Sequence, residues 1–193
     1  MAPDEEDEDM YTPTLPLTPP GGWTLDNLPS DLPKHTELIW GTLVMSPQRA
    51  WRMAAVDALK ALMREQCPKQ FAVKREMAVR KSSRSAPEPD LSVIKAAAAL
   101  DWDKSIYLPE EVLLVAEVVS PESEERDRED KPFLYATMGI PTFWLIERDK
   151  DNAPLVHEHQ LVDGTYRLTR THTDRLTTEI PFPIDIPLEA PTP

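Results

Sequence analysis

The chain has one cysteine, five glycines and no apolar run near the ~18–20 residues that a membrane span needs, and each shortage removes a class of function. With Cys67 alone, no intrachain disulfide can form, which fits a reducing cytoplasm, and zinc sites of the multi-cysteine type are excluded. So few glycines leave no glycine-rich loop to cradle a nucleotide's phosphates, and no internal repeat is present. The opening MAPDEEDEDMYTPTLPLTPPGG carries neither a basic region nor an apolar stretch, so a secretory signal is not expected. A cytoplasmic protein with no membrane partner is the expectation.

Positive charge is also in short supply: 21 Lys and Arg stand against 34 Asp and Glu, a formal net charge of −13. Six of those negatives, Asp4, Glu5, Glu6, Asp7, Glu8 and Asp9, form one run, which leaves −7 for the rest. An acidic run followed by proline-rich sequence cannot bury enough apolar surface to order itself, so residues 1–22 read as a disordered tail and 23–193 as one folded domain. Within that domain VKREMAVRKSSRS collects Lys74, Arg75, Arg80, Lys81 and Arg84 against Glu76 alone. Local charge matters more than the total for a phosphate backbone, so a nucleic-acid partner stays open.

The patterning predicts a sheet and two principal helices. GWTLDNLPSDLPKH suggests a short helix capped by Thr24, and TELIWGTLVMSP a hairpin turning near Gly41. AWRMAAVDALKALMREQC spaces Met53, Val56, Leu59, Leu62 and Met63 as the buried face of a helix of roughly four turns, stopped by Pro68. FAVKREMAV alternates as a half-exposed strand does, DLSVIKA is a second strand, and LLVAEVVS, apolar almost throughout, is a central strand covered on both faces. A helix ending at Gly139 and Pro141 follows, then the strand TFWLIERD, which a right-handed crossover sets parallel to LLVAEVVS. PLVHEHQLVDGTYRLTRTH is a hairpin turning at Asp163-Gly164, and IPFPIDIPL is an edge element. The fold class is α/β or α+β, a mixed sheet flanked by helices.

Glu117 is the residue out of place, a carboxylate in a strand otherwise built for burial. Asp90 opens the preceding strand, so two carboxylates converge if those strands are neighbours, and then a proton or a cation must relieve their repulsion. A hard divalent ion, Mg²⁺ or Mn²⁺, held by Asp90, Glu117 and the backbone carbonyl of Val118 is one answer. The other is a structural ion pair between Glu117 and a basic side chain. Lys131 favours an acidic centre: Pro132 confines it to the first turn of its helix, where a cation faces the positive end of the macrodipole unless its ammonium reaches acids nearby.

PEPDLSV, EVVSP and RDREDKPFLYATMGIPTFW, together with TELIWGTLVMSPQ and REMAV, resemble the Uma family of restriction endonucleases within the PD-(D/E)XK nuclease superfamily, over about Trp23 to Ile186. The resemblance implies a restriction-endonuclease-like core in which Asp90 and Glu117 bind metal and Glu37 is a third acid. It also implies that the lysine comes from the following helix, as Lys131, because Val119 occupies its usual place two residues after the acid. Tyr135, one turn beyond Lys131, then lines the site or packs beneath it. Where the family often has a histidine at the start of the first helix this chain has Arg52, which can replace a phosphate contact but not a catalytic imidazole.

The resulting expectation is Mg²⁺-dependent hydrolysis of DNA, with Arg75, Arg80, Lys81, Arg84 and Arg52 on the phosphate backbone and room for a homodimer. Its rival is a nuclease fold retained as a catalytically inactive module for binding DNA or protein. His157 and His159 share a strand face and could bind a transition metal, but no third ligand is evident. Cys67 reads as an inert thiol, and the five tryptophans as packing, with Trp51 an alternative base-stacking residue.

Overall fold

The computed structural model describes residues 17–191. Most of the expected acidic tail, residues 1–16, lies outside the described residues. In chain order the elements are β1 (Thr36–Ile39), β2 (Thr42–Met45), α1 (Ala50–Gln66), β3 (Phe71–Arg75), β4 (Ala78–Val79), β5 (Leu91–Lys95), β6 (Ile106–Tyr107) and β7 (Val112–Val118). They continue with α2 (Lys131–Thr137), β8 (Thr142–Arg148), β9 (Pro154–Val162), β10 (Thr165–His172), β11 (Arg175–Thr178) and β12 (Ile184–Pro187).

Six strands form the central sheet in the order β10-β9-β8-β7-β5-β3. Only β7 and β8 run parallel, joined by the crossover that contains α2. Strand β7 is apolar but for Glu117 because both its faces are covered. Leu114, Ala116 and Val118 pack with Val56, Leu59 and Met63 of α1 and with Leu176, Ile184 and Ile186 of β11 and β12. Val115, on the other face, packs with Tyr135 of α2, Phe143 and Leu145 of β8, and Ile140. Glu117 is thus planted in the most enclosed strand of the molecule, at 0 % exposure.

The hairpin turns follow local chemistry. Asp163 and Gly164 both take positive φ, 51° and 78°, as do Trp40 and Gly41 at 53° and 80°, the conformation of a two-residue hairpin turn. At Gly41 space matters too, since an added Cβ would meet the Arg84 guanidinium at 2.4 Å.

Three expectations are corrected. The stretch after Trp23 is a turn, not a helix: the Thr24 N–H donates to Asn27 Oδ1 at 2.6 Å, and the prolines that follow prevent propagation. FAVKREMAV is not one strand: β3 ends at Arg75, Glu76 flips to φ 52°, and β4 pairs in parallel with β6 in a separate two-stranded sheet. Lys131 does not open its helix, for a π-turn over Arg126–Asp130 precedes it and the Lys131 N–H reaches back to Arg126 O. That wider turn accommodates the Pro132 ring in a helix already under way.

Candidate active site

The antiparallel pairing of β5 with β7 sets Leu91 against Ala116, so the next pair in register is Asp90 and Glu117. Asp90 lies just beyond the end of β5, where its carboxylate takes over from the ladder: Oδ2 accepts the Val118 N–H at 2.6 Å. Its Oδ1 accepts two N–H groups of Arg52, at 2.9 and 2.6 Å. Arg52 comes from the first turns of α1, on a helix face that its neighbours Ala55, Val56 and Leu59 bury.

Helix α2 supplies the other side. Lys131 and Tyr135 are one turn apart on the same helix face and divide Glu117 between them. The Lys131 ammonium donates to Glu117 Oε2 at 3.0 Å, and the Tyr135 hydroxyl donates to Oε1 at 2.6 Å. Lys131 also sits 3.0 Å from Glu37 Oε1 and 3.7 Å from Asp127 Oδ1. Strand β1 brings in Glu37, whose second oxygen accepts the Glu88 N–H at 3.0 Å, clamping the hairpin to the segment that carries Asp90.

Four carboxylates therefore face two cations, and none of the six side chains belongs to a residue more than 4 % exposed. Burial pushes the Glu117 carboxyl well above the usual range, against the pull of Lys131, and the negative charges of Asp90, Asp127 and Glu37 push it further. Burial likewise raises Asp127, opposed by Lys131 and by a hydrogen bond from Ser123. Burial alone would depress Lys131, but Glu117, Glu37 and Asp127 outweigh it and hold the ammonium above its ordinary value. The same contest keeps Arg52 firmly charged through Asp90. Glu88, at the rim, is pushed up to about 7 by burial and by the charges of Glu37 and Glu76.

The donors are hard carboxylate oxygens, with negative charge in excess and one of them, Asp127 Oδ1, buried without a hydrogen-bond partner. That chemistry fits a hard divalent cation better than a soft one. Asp90 and Glu117 are the pair from adjacent strands that would hold it. As the side chains stand, no three His, Cys, Asp or Glu groups among the described residues converge as a ready ligand set. Arg52 and Lys131 occupy the carboxylates instead.

The structure brings Glu37, Asp90, Glu117, Lys131 and Tyr135 into one cluster. It does not leave the expected phosphate-binding residues free to act together. Arg52 is buried on Asp90 and cannot meet a backbone at the surface, because α1 packs it inward. Arg75 is held by Asp57 and Glu76. Arg84 donates to Gly21 O, and Lys81 donates to Thr137 while lying 5.7 Å over the Trp40 ring. Among these five, Arg80 alone is exposed with no side-chain partner among the described residues. Trp51 donates its indole N–H to Asn152 O, His157 bonds to Glu147 and Thr171, and His159 to the His157 carbonyl. Asp127 escaped the sequence reading because ESEERDREDK looks like a solvated charge run. Its signal was the i, i+4 spacing to Lys131.

A mixed sheet with acids at the ends of two central neighbouring strands, flanked by a helix-borne lysine, has the layout of a restriction-endonuclease-like nuclease core. Comparison with known proteins gives the family: residues 24–190 match the Uma2 family, described as "Putative restriction endonuclease", and the chain belongs to it. A crystal structure from Anabaena variabilis ATCC 29413, titled a putative nuclease belonging to DUF820, has the same fold, with a TM-score of 0.63. It is 16 % identical, over 82 % of this chain and 89 % of that one. Nothing matches among curated proteins. No described helix is long and apolar enough to cross a membrane.

Proposed function

We propose that the chain is a Mg²⁺- or Mn²⁺-dependent endonuclease that hydrolyses DNA phosphodiester bonds. The observation that supports this best is the Lys131 ammonium, buried and 3.0 Å from both Glu37 and Glu117. Asp90 and Glu117 would hold the cation, with the Val118 carbonyl as a further oxygen. Bound there, such an ion polarises a phosphoryl oxygen and eases deprotonation of the attacking water. Lys131, which stays charged, acts as a donor and not as a base: it orients the water or stabilises negative charge that grows on the phosphoryl oxygens. Tyr135 fixes one oxygen of Glu117, and Glu37 anchors the ammonium from the opposite side. Arg52 occupies Asp90 where a cation would sit and would have to yield to it, and the family's histidine role is absent from it.

The decisive comparison incubates supercoiled plasmid with the protein in Mg²⁺ or Mn²⁺, alongside Asp90→Ala. Nicking by the natural chain alone is expected, and equal nicking by both proteins would falsify the site.

A second reading, a nuclease fold kept for binding DNA or protein without catalysis, draws on the way that Arg52 and the Val118 N–H engage both oxygens of Asp90. Titration calorimetry with Mn²⁺ separates the two. Uptake that Asp90→Ala abolishes supports the enzyme, and no uptake by either protein supports the inactive module.

A further inference from the structure

Four cations without carboxylate partners among the described residues gather away from the acidic cluster. A cleft of about 420 Å³ between the end of α1 and the outer edge of β3 is lined by Lys60, Arg64, Lys69 and Lys74, with Phe71 at its floor and Trp102 at its rim. None of the four cations has a carboxylate partner among the described residues, although the molecule as a whole is strongly acidic. Trp102 is 93 % exposed, an apolar face that no packing explains. Strand β3 is the last of the sheet, so no further strand pairs with its outer edge.

The cleft is also aligned with the site. Phe71 of β3 pairs with Lys95 at the far end of β5, while Arg75 pairs with Leu91, next to Asp90. On α1, Arg52 grips Asp90 and Arg64 lies twelve residues further along the same helix, about 18 Å at 1.5 Å per residue. The basic residues therefore run from the far end of the sheet, at Arg64 and Lys69, toward its acidic end, at Lys74.

We infer that this cleft is the track on which a single-stranded segment of nucleic acid lies, its phosphates on Lys60, Arg64, Lys69 and Lys74 and one base stacked on Trp102. Four separate cations with no geometric fork suit a flexible backbone without reading its sequence, and an exposed indole can stack only on a base that is not already paired. The inference rests on the nuclease reading for its choice of polyanion, but binding in chelator tests it without any hydrolysis.

The experiment measures fluorescence anisotropy of a labelled mixed-sequence 12-mer with the full chain in EDTA, over a series of salt concentrations. Four phosphate contacts predict a log–log salt slope of about −2.8, at about −0.7 per contact. Lys69→Gln with Lys74→Gln should halve that slope. Trp102→Ala should weaken binding about five- to a hundred-fold at unchanged slope. Binding in EDTA is expected whether or not the natural chain nicks plasmid, which separates failure here from failure of the nuclease reading. A salt slope unchanged by the double variant overturns the inference, as does equal affinity for a blunt duplex combined with a neutral Trp102→Ala. A synthetic peptide of residues 1–16 that quenches Trp102 while the oligonucleotide does not would assign the cleft to acidic polypeptide and overturn it equally.

Discussion

Replacing Lys131 with methionine keeps the length and apolar stem of the side chain and removes only its charge. Glu37, Glu117 and Asp127 would then face one another with no ammonium among them, and Arg52 is already committed to Asp90. Breaking a buried pair by removing one partner costs about 3–5 kcal/mol. For a domain of this size each kcal/mol lowers Tm by roughly 2–4 °C, so a fall of roughly 6–20 °C is expected at neutral pH. The sign of the pH dependence follows from Glu117. Unfolded, it titrates near about 4.3. Folded, burial already holds it well above that, and losing Lys131 removes the main charge that opposes the rise. A carboxyl raised in the folded state binds its proton more tightly there, so the stability it contributes is full below the unfolded value and is lost as pH rises. The variant's deficit should therefore be small near pH 5 and largest above pH 7. Circular-dichroism melting in EDTA at several pH values measures it. A Tm at pH 8 within about 2 °C of the natural chain, against the fall expected from a broken buried pair, would refute the electrostatic account. So would a deficit that does not change with pH.

Arg52→Gln should weaken the fold in EDTA yet tighten Mn²⁺ binding, because the metal no longer displaces hydrogen bonds to an ionised group worth about 1.5–3 kcal/mol, roughly ten- to a hundred-fold in Kd. Calorimetry on the two proteins checks it, and weaker Mn²⁺ binding by the variant would mean that Arg52 builds the site and does not compete for it. Tyr135→Phe keeps the ring against Phe143 but loses the 2.6 Å hydrogen bond to Glu117. A loss of about 1.5–3 kcal/mol in urea unfolding is expected, and no loss would place the hydroxyl proton elsewhere.

What could be read from sequence was local or periodic. The otherwise apolar run of β7 announced a strand covered on both faces, so the glutamate within it stood out at once. Asp163-Gly164 needs only its own two positive φ values to make a turn, and Leu59 and Met63 need only helical spacing to face a core. What depended on distant partners was hidden. Arg52 looked like a surface arginine because nothing near it in the chain shows that Asp90, 38 residues on, accepts hydrogen bonds from its Nε and Nη2. Strand β3 stops where Glu76 turns toward the Pro89 carbonyl, and alternation alone would have carried it on. Asp127 and the π-turn were masked by a charge-rich stretch whose polar residues divide between water and the core only once α2 has docked.

The composition of the cluster argues that stability is not its purpose. A buried ion pair is at best near neutral in stability against apolar side chains of the same size, and here four carboxylates share two cations, leaving an excess that no protein group cancels. A purely structural network could drop Asp127 or Glu37 and lose a cost. Retaining both, around a lysine that shares Glu117 with Tyr135, raises the proton affinity of Glu117 until something positive is supplied. A proton does that, and a divalent ion would do it only by displacing Arg52 and Lys131, because no three acids converge as a ready ligand set among the described residues. Four carboxylates around two cations, enclosed where β5 begins and β7 ends, are the feature on which the proposed cation site rests.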